Sequence, residues 1–255
     1  MSTSSTASLS FDDMLALIED RSAALRTAAA AAGFDAPVPG CPDWSVRDLV
    51  AHLGEVHLFW SAVVAAGPAD GPPDEDQLSG REPGGDLFAW SAAATDALLA
   101  ALRAAGPDRG CWTWWRSSGA PMDASAVARH QVQEAAVHAF DAQQAAGLGE
   151  PLPLAAATDG LGEYLTVGLR SMGPWPFEPA TVALQSAGGG DWLIDLGLDG
   201  AQVTADARPA APTITMAGSA GDVVLALYRR TDPATLKVTG DAEVLEQFLD
   251  WLDLD

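Results

Sequence analysis

The sequence predicts an α+β protein of two domains: an N-terminal four-helix bundle, and a C-terminal domain with a small, mainly antiparallel sheet and helices. Three observations carry that expectation. Apolar residues recur at helical spacing in long segments up to about residue 146. After Gly147 the pattern gives way to short runs of strand character separated by glycine-containing turns. At 255 residues, 48% of them hydrophobic, the chain is long enough to bury the cores of two ordinary domains. The boundary is expected near residue 150, with the bundle over 1–150 and the α+β domain over 151–255, and no internal repeat is visible.

The first helix is expected in "SFDDMLALIEDRSAALRTAAAAAG", where Ser10 and Asp13 have capping-box spacing and Gly33 can end the helix. "APVPGCPDW" then breaks the chain with three prolines and a glycine. In "SVRDLVAHLGEVHLFWSAVVAAG", Ser45 and Asp48 can cap a second helix and Gly67 can end it. Leu49, His52, Leu53, Val56, Phe59, Trp60 and Val63 form its apolar stripe. Residues 67–85 read as a long loop rich in Gly, Pro and acid. A third helix is expected from about Leu87 to Ala105, then the tryptophan-rich connection "CWTWWRSSGAPMD", then a fourth helix from about Ala124 to Ala146. Four such helices imply a bundle. In the C-terminal half, "PLPLAAATDGLGEYLTVGLRSMGPW" supplies a linker and one helix. The strands expected are "ATVALQS", "DWLIDLGL", "AQVTADA" and "PTITMAG", with turns at "GGGD" and "LDGA". "AGDVVLALYRR" and "DAEVLEQFLDWL" supply two closing helices.

Composition excludes some partners. The net charge is −22, from 13 Lys and Arg against 35 Asp and Glu, and a chain this acidic repels phosphate backbones and anionic lipid surfaces. No nucleic-acid or membrane partner is therefore expected. No unbroken apolar run reaches the roughly 18 residues of a membrane span. The N-terminus has neither the basic n-region nor the apolar h-region of a secretory signal. Cys41 and Cys111 are the only cysteines and make no disulfide framework, so a reducing cytoplasm is the expected location.

The four histidines are His52, His57, His130 and His138. In "QEAAVHAFDA", Glu134 and His138 stand four residues apart, on one face of the fourth helix. His52 lies in the apolar stripe of the second. Three such ligands from two helices would leave coordination positions open, as in a catalytic rather than a closed site. The plainer reading is an i,i+4 surface pair and a core histidine. The pattern is not H-E-x-x-H, because here the glutamate itself would be a ligand. His130 could extend the same stripe, either as a support behind the ligands or as an alternative ligand, whereas His57 turns away from it and reads as structural or exposed. Two histidines and a carboxylate suit zinc, and also non-haem iron or nickel.

At these residues the sequence resembles a known family. "PDWSVRDLVAHLG" is similar to the motif that opens the second helix of the mycothiol-dependent maleylpyruvate isomerase family, which belongs to the DinB-like metal-binding bundles. "QEAAVHAFDA" resembles its second motif, usually H-E-x-x-V-H-R-x-D-A. "AATDGLGEYLTVGL" and "LKVTGDAEVLEQFL" resemble helices of its sterol-carrier-like C-terminal domain. The resemblance implies a metal held by His52, Glu134 and His138, with Arg230 in "LALYRRTDP" as the active-site arginine, one register step from Arg229. A guanidinium suits carboxylate recognition, and equally suits a helix C-terminus. Gln133, Ala139 and Phe140 depart from the family motif.

The function implied is a zinc-dependent isomerase or S-transferase that uses mycothiol as its thiol cosubstrate on a small unsaturated carbonyl or carboxylate substrate. The metal lowers the thiol pKa and the thiolate adds to a conjugated carbon. Rotation and expulsion of the thiolate give isomerisation; a retained adduct gives transfer. Cys41 and Cys111 are not needed as nucleophiles, and Cys41 reads as structural. The three indoles of "CWTWWR" read mainly as apolar cover, otherwise as a wall of the cleft, and Trp44 as a packing residue. Two other functions remain open at this point: a divergent metal-dependent enzyme on the same scaffold, using hydrolysis, cyclisation or another thiol, and a non-catalytic carrier of an apolar ligand with a structural metal.

Overall fold

The structure, a computed structural model, describes residues 9–74, 78 and 83–252. The N-terminal residues 1–8 and residues 75–77 and 79–82 of the acidic 67–85 loop lie outside the described residues. The chain divides into two compact units: Leu9–Trp114 with Pro121–Leu152, and Trp115–Ala120 with Pro153–Asp255.

The first unit is built on four helices, α1 (Phe11–Ala32), α2 (Val46–Ala66), α3 (Leu87–Ala105) and α4 (Ala124–Ala145). Both expected capping boxes form. Ser10 and Asp13 exchange backbone and side-chain hydrogen bonds at the start of α1, and Ser45 and Asp48 do the same for α2. Asp86 and Asp123 cap α3 and α4 by accepting from backbone N–H groups of their first turns. These carboxylates and hydroxyls satisfy donors that have no partner inside the helix, each contributing about 1 kcal/mol. In the bundle α1 packs on α4 and α2 on α3, while α2 also meets α4 and α1 meets α3. The core joins Leu25, Ala28, Val46, Leu49, Leu53 and Ala139. Leu25, Leu49 and Leu53 are at most 1% exposed, so each contributes about 2 kcal/mol of hydrophobic stabilisation. By length and composition, α2 and α3 are apolar enough to cross a membrane. The bundle accounts for that character, because each packs one face against the other: a Cβ at Gly54 of α2 would overlap the Trp90 ring of α3.

The proline-rich break before α2 carries two short strands, β1 (Pro37–Val38) and β2 (Cys41–Ser45), which the sequence pattern did not signal. They matter for position. The Val46 and Arg47 N–H groups donate to the Ala36 and Phe34 carbonyls at 2.9 and 3.0 Å, which ties the start of α2 to this turn.

The second unit holds α5 (Leu154–Glu163), a five-residue π-helical stretch (Tyr164–Gly168) and a final turn, α6 (Leu169–Ser171), where one uninterrupted helix was expected. Gly160, Gly162 and Gly168 lower the helix propensity of this segment. Five strands follow: β3 (Ala180–Ala187), β4 (Gly190–Gly197), β5 (Gly200–Ala205), β6 (Ile214–Ser219) and β7 (Lys237–Gly240). Their order is β5-β4-β3-β6-β7, with β3 and β6 parallel and every other pair antiparallel. Helices α7 (Ala220–Leu227) and α8 (Ala242–Trp251) pack against β6, and α7 also against α5. Strand β7 was not foreseen: four residues with no apolar alternation carry no strand signal of their own. Gly240, which ends β7, has φ +113° and lies against the Thr213 carbonyl, so the turn into α8 needs a residue without a Cβ.

Candidate metal centre

Helix α4 presents Glu134 and His138 one turn apart, and the packing of α2 on α4 brings His52 beside them. One ligand atom from each of the three residues can be chosen so that all lie within 4.8 Å of one another. His138 Nε2 and Glu134 Oε2 are 3.5 Å apart. Ligands of a tetrahedral zinc ion at about 2.0–2.1 Å stand roughly 3.3 Å from one another, so this pair fits one edge of such a sphere. The His52 and His138 rings meet edge to face, with centroids 5.0 Å apart at 81°. The Trp44 indole of β2 packs on both imidazoles, at 4.7 and 6.0 Å. The expected packing role of Trp44 is thus exercised directly on the candidate ligands.

Two of the three candidate ligands, His138 and Glu134, have buried or charged partners that orient them. His138 Nδ1 lies 3.0 Å from Asp141 Oδ2, and Asp141 is fully buried. A carboxylate accepts, so Nδ1 donates to Asp141 and Nε2 is the ring nitrogen that a metal would take, displacing its proton. Cys41 donates its thiol to the same Asp141 oxygen at 3.9 Å. Burial works against the His138 charge, but the Asp141 and Glu134 carboxylates outweigh it and raise the imidazole to about 9. Burial likewise opposes ionisation of Glu134; the His138 contact and the fields of His130, His138 and His52 prevail and hold the carboxyl at about 2. Glu134 and His138 thus favour each other's charge, as the partners of an ion pair do, and a metal would take the place of the His138 proton. The donor set of two imidazoles and one carboxylate suits zinc, iron or another divalent ion.

The remaining histidines separate. His130 Nε2 lies 3.5 Å from the other carboxylate oxygen of Glu134, Oε1. It is outside the group that could hold one ion. His57 is fully buried, as a structural residue would be, with Nδ1 3.2 Å from Thr95 Oγ1. The Thr95 hydroxyl donates to the Ser91 carbonyl and accepts from Arg26, so the His57 Nδ1–H is the donor in that contact. Burial pushes the His57 pKa down to about 3 and keeps the ring neutral.

The tryptophan-rich connection is divided. Trp112 packs on Phe59 and Trp60, with centroids at 6.1 and 6.3 Å, and Trp114 sets its ring 5.7 Å from His130 while staying 44% exposed. Trp115 and Arg116 belong to the second unit. Cys111 is buried and its thiol is raised to about 11, which makes it a poor nucleophile. The departures from the family motif lie in packed positions. Gln133, Ala139 and Phe140 are all buried, and Ala139 sits in the bundle core with Leu25 and Leu49.

Arg230 is carried by the second unit, just after α7, where its Nη1 donates to the Tyr228 carbonyl at 2.9 Å. It lines a cavity of about 550 Å³ together with Arg229, Thr231, Glu246 and Asp250. The sequence reading missed Asp141, although its spacing, three residues after His138 in "VHAFDA", would have placed it on the same helical face.

Comparison with known proteins places the chain in a family. A search of curated protein sequences gives no significant match. Among solved structures, the chain resembles a crystal structure of the mycothiol-dependent maleylpyruvate isomerase, with a TM-score of 0.56 at 12% identity over 86% of this chain and 88% of that one. It also resembles a histidine-to-alanine mutant of the isomerase so described, with a TM-score of 0.59 at 13% identity over 92% of this chain and 95% of that one. At these identities the likeness concerns the fold. The family model for the mycothiol maleylpyruvate isomerase N-terminal domain matches residues 15–143, a stretch that contains His52, Glu134 and His138. This chain belongs to the mycothiol maleylpyruvate isomerase N-terminal domain family.

Proposed function

We propose that this protein is a zinc-dependent enzyme that uses mycothiol to attack a small unsaturated carbonyl or carboxylate substrate, either as an isomerase of the maleylpyruvate type or as an S-transferase. The observation that carries this reading is the His52, Glu134 and His138 group, three ligands from two helices, with His138 backed by a buried carboxylate, in a chain of this family. Three protein ligands leave room for an exogenous one. When bound, zinc supplies the Lewis acidity that brings a thiol pKa toward neutrality.

The chain's own residues prepare for that chemistry. Asp141 holds the His138 ring through Nδ1, so that Nε2 is the nitrogen a metal would take in exchange for its proton. Glu134 stays ionised, and Trp44 covers both imidazoles on one side. In this reading Arg230 recognises the substrate carboxylate, an assignment that rests on the family resemblance. The partners are a small electrophile and a low-molecular-weight thiol, met in a reducing cytoplasm.

Metal analysis tests the first step. The wild type is expected to bind one zinc per chain, and His52→Ala to lose most of it; equal stoichiometry in both sinks the assignment. The zinc-loaded protein is then mixed with mycothiol and maleylpyruvate while the enol absorbance is followed. A rate that needs both thiol and metal supports the isomerase. No change, together with thiol adducts of other electrophiles in the mass spectrum, leaves the transferase.

A further inference from the structure

We infer that His130 is a positioning residue for the carboxylate of Glu134, tying one oxygen so that the other is held toward the metal. The inference rests on the metal reading of His52, Glu134 and His138, and goes beyond it by giving a task to a histidine outside that group.

Glu134 stands between two imidazoles of its own helix, one turn before it and one turn after. Its Oε1 is 3.5 Å from His130 Nε2 and its Oε2 is 3.5 Å from His138 Nε2. Each carboxylate oxygen therefore faces a different ring. A glutamate side chain is free to rotate about its last torsion, which is broad and roughly two-fold. Left to itself it could offer either oxygen, or both, to a cation. A donor on Oε1 removes that freedom and leaves Oε2 as the ligand atom, next to His138 Nε2.

His130 is itself held in place. Its side chain is 12% exposed. Trp60 of α2 and Trp114 of the connection set their rings against it at near-perpendicular angles, 70° and 72°, with centroids 5.9 and 5.7 Å away. Two indoles from separate segments thus fix the ring plane that aims Nε2 at Glu134. The contact needs only an Nε2–H, which the neutral ring can supply, so it does not depend on a charged His130. The arrangement parallels that of Asp141 on His138: each of the two α4 ligands has a partner on its second polar atom. Outer partners of this kind change metal affinity by about 10–100-fold.

The test is the zinc affinity of the full chain, measured by competition with a chromophoric chelator. His130→Ala is expected to weaken zinc binding at least tenfold while the melting temperature of the metal-free protein stays close to wild type. His130→Gln, which keeps an N–H donor on a side chain of similar reach, is expected to recover most of the affinity. Should His130→Ala fail to fold, His130→Phe keeps the packing between Trp60 and Trp114 without a donor and carries the same expectation. Unchanged affinity in the donor-less variant overturns the inference, as does a His130→Gln variant no better than it. Both outcomes differ from failure of the metal reading, in which the wild type itself binds no zinc.

Discussion

Asp141 is the residue on which the candidate centre turns. It has no exposure and accepts from both His138 and Cys41. Its work is to hold an imidazole. Asp141→Asn keeps the volume but replaces the charged acceptor, and the amide can present N–H₂ where an acceptor is needed. Zinc affinity is expected to fall about 10–100-fold, read by chelator competition, while the ligand triad stays in place. This role was open to sequence reasoning, since three residues separate Asp141 from His138 on one helix. The contact of Cys41 with Asp141 was not, because it spans 100 positions.

Among the elements, α2 carries the most. Its capping box sets where it starts, β1 and β2 set where that start is held, and its apolar stripe serves two ends: Leu49 and Leu53 enter the core, while His52 joins the metal group. Gly54 lets α3 come close enough for Trp90 to cover the backbone of α2. Gly54→Ala is expected to destabilise the protein by about 1–3 kcal/mol, because the added methyl overlaps the Trp90 ring, which must shift to admit it. Urea unfolding measures this. A neutral or stabilising result would mean that α2 and α3 are not packed this closely. The capping residue gives a second check: Ser45→Ala is expected to cost about 1 kcal/mol.

For the molecule as a whole, the fully buried His57 predicts an acid sensitivity independent of the metal. Its folded pKa, about 3, lies below the ordinary value of 6.5, so the unfolded chain takes the proton more readily. The stability is complete above pH 6.5 and is lost as the pH falls from 6.5 toward 3, at up to about 1.4 kcal/mol per unit. Urea midpoints taken in the presence of chelator are expected to drop over that window. His57→Leu is expected to flatten the drop, even though it is less stable at pH 7 through the lost Thr95 contact. Identical slopes for the two proteins would remove His57 as the cause.

By itself the sequence determined the four bundle helices and their caps, most of the C-terminal strands, and the pairing of Glu134 with His138. These are properties of a few adjacent residues: a period of 3.6, a hydroxyl three positions before a carboxylate, a glycine after the last turn. His52, in the apolar stripe of the second helix, offered a third ligand, and the resemblance of two short motifs favoured all three as one metal set. Only the tertiary structure decided the rest. It set His130 against Glu134 while burying His57 between α2 and α3, although both are histidines near candidate ligands. It gave β7 a place beside β6, and it turned Trp60 and Trp114 onto one ring. The reason is that which face of a helix meets which neighbour depends on contacts between residues far apart in the chain, and local periodicity carries no record of the partner.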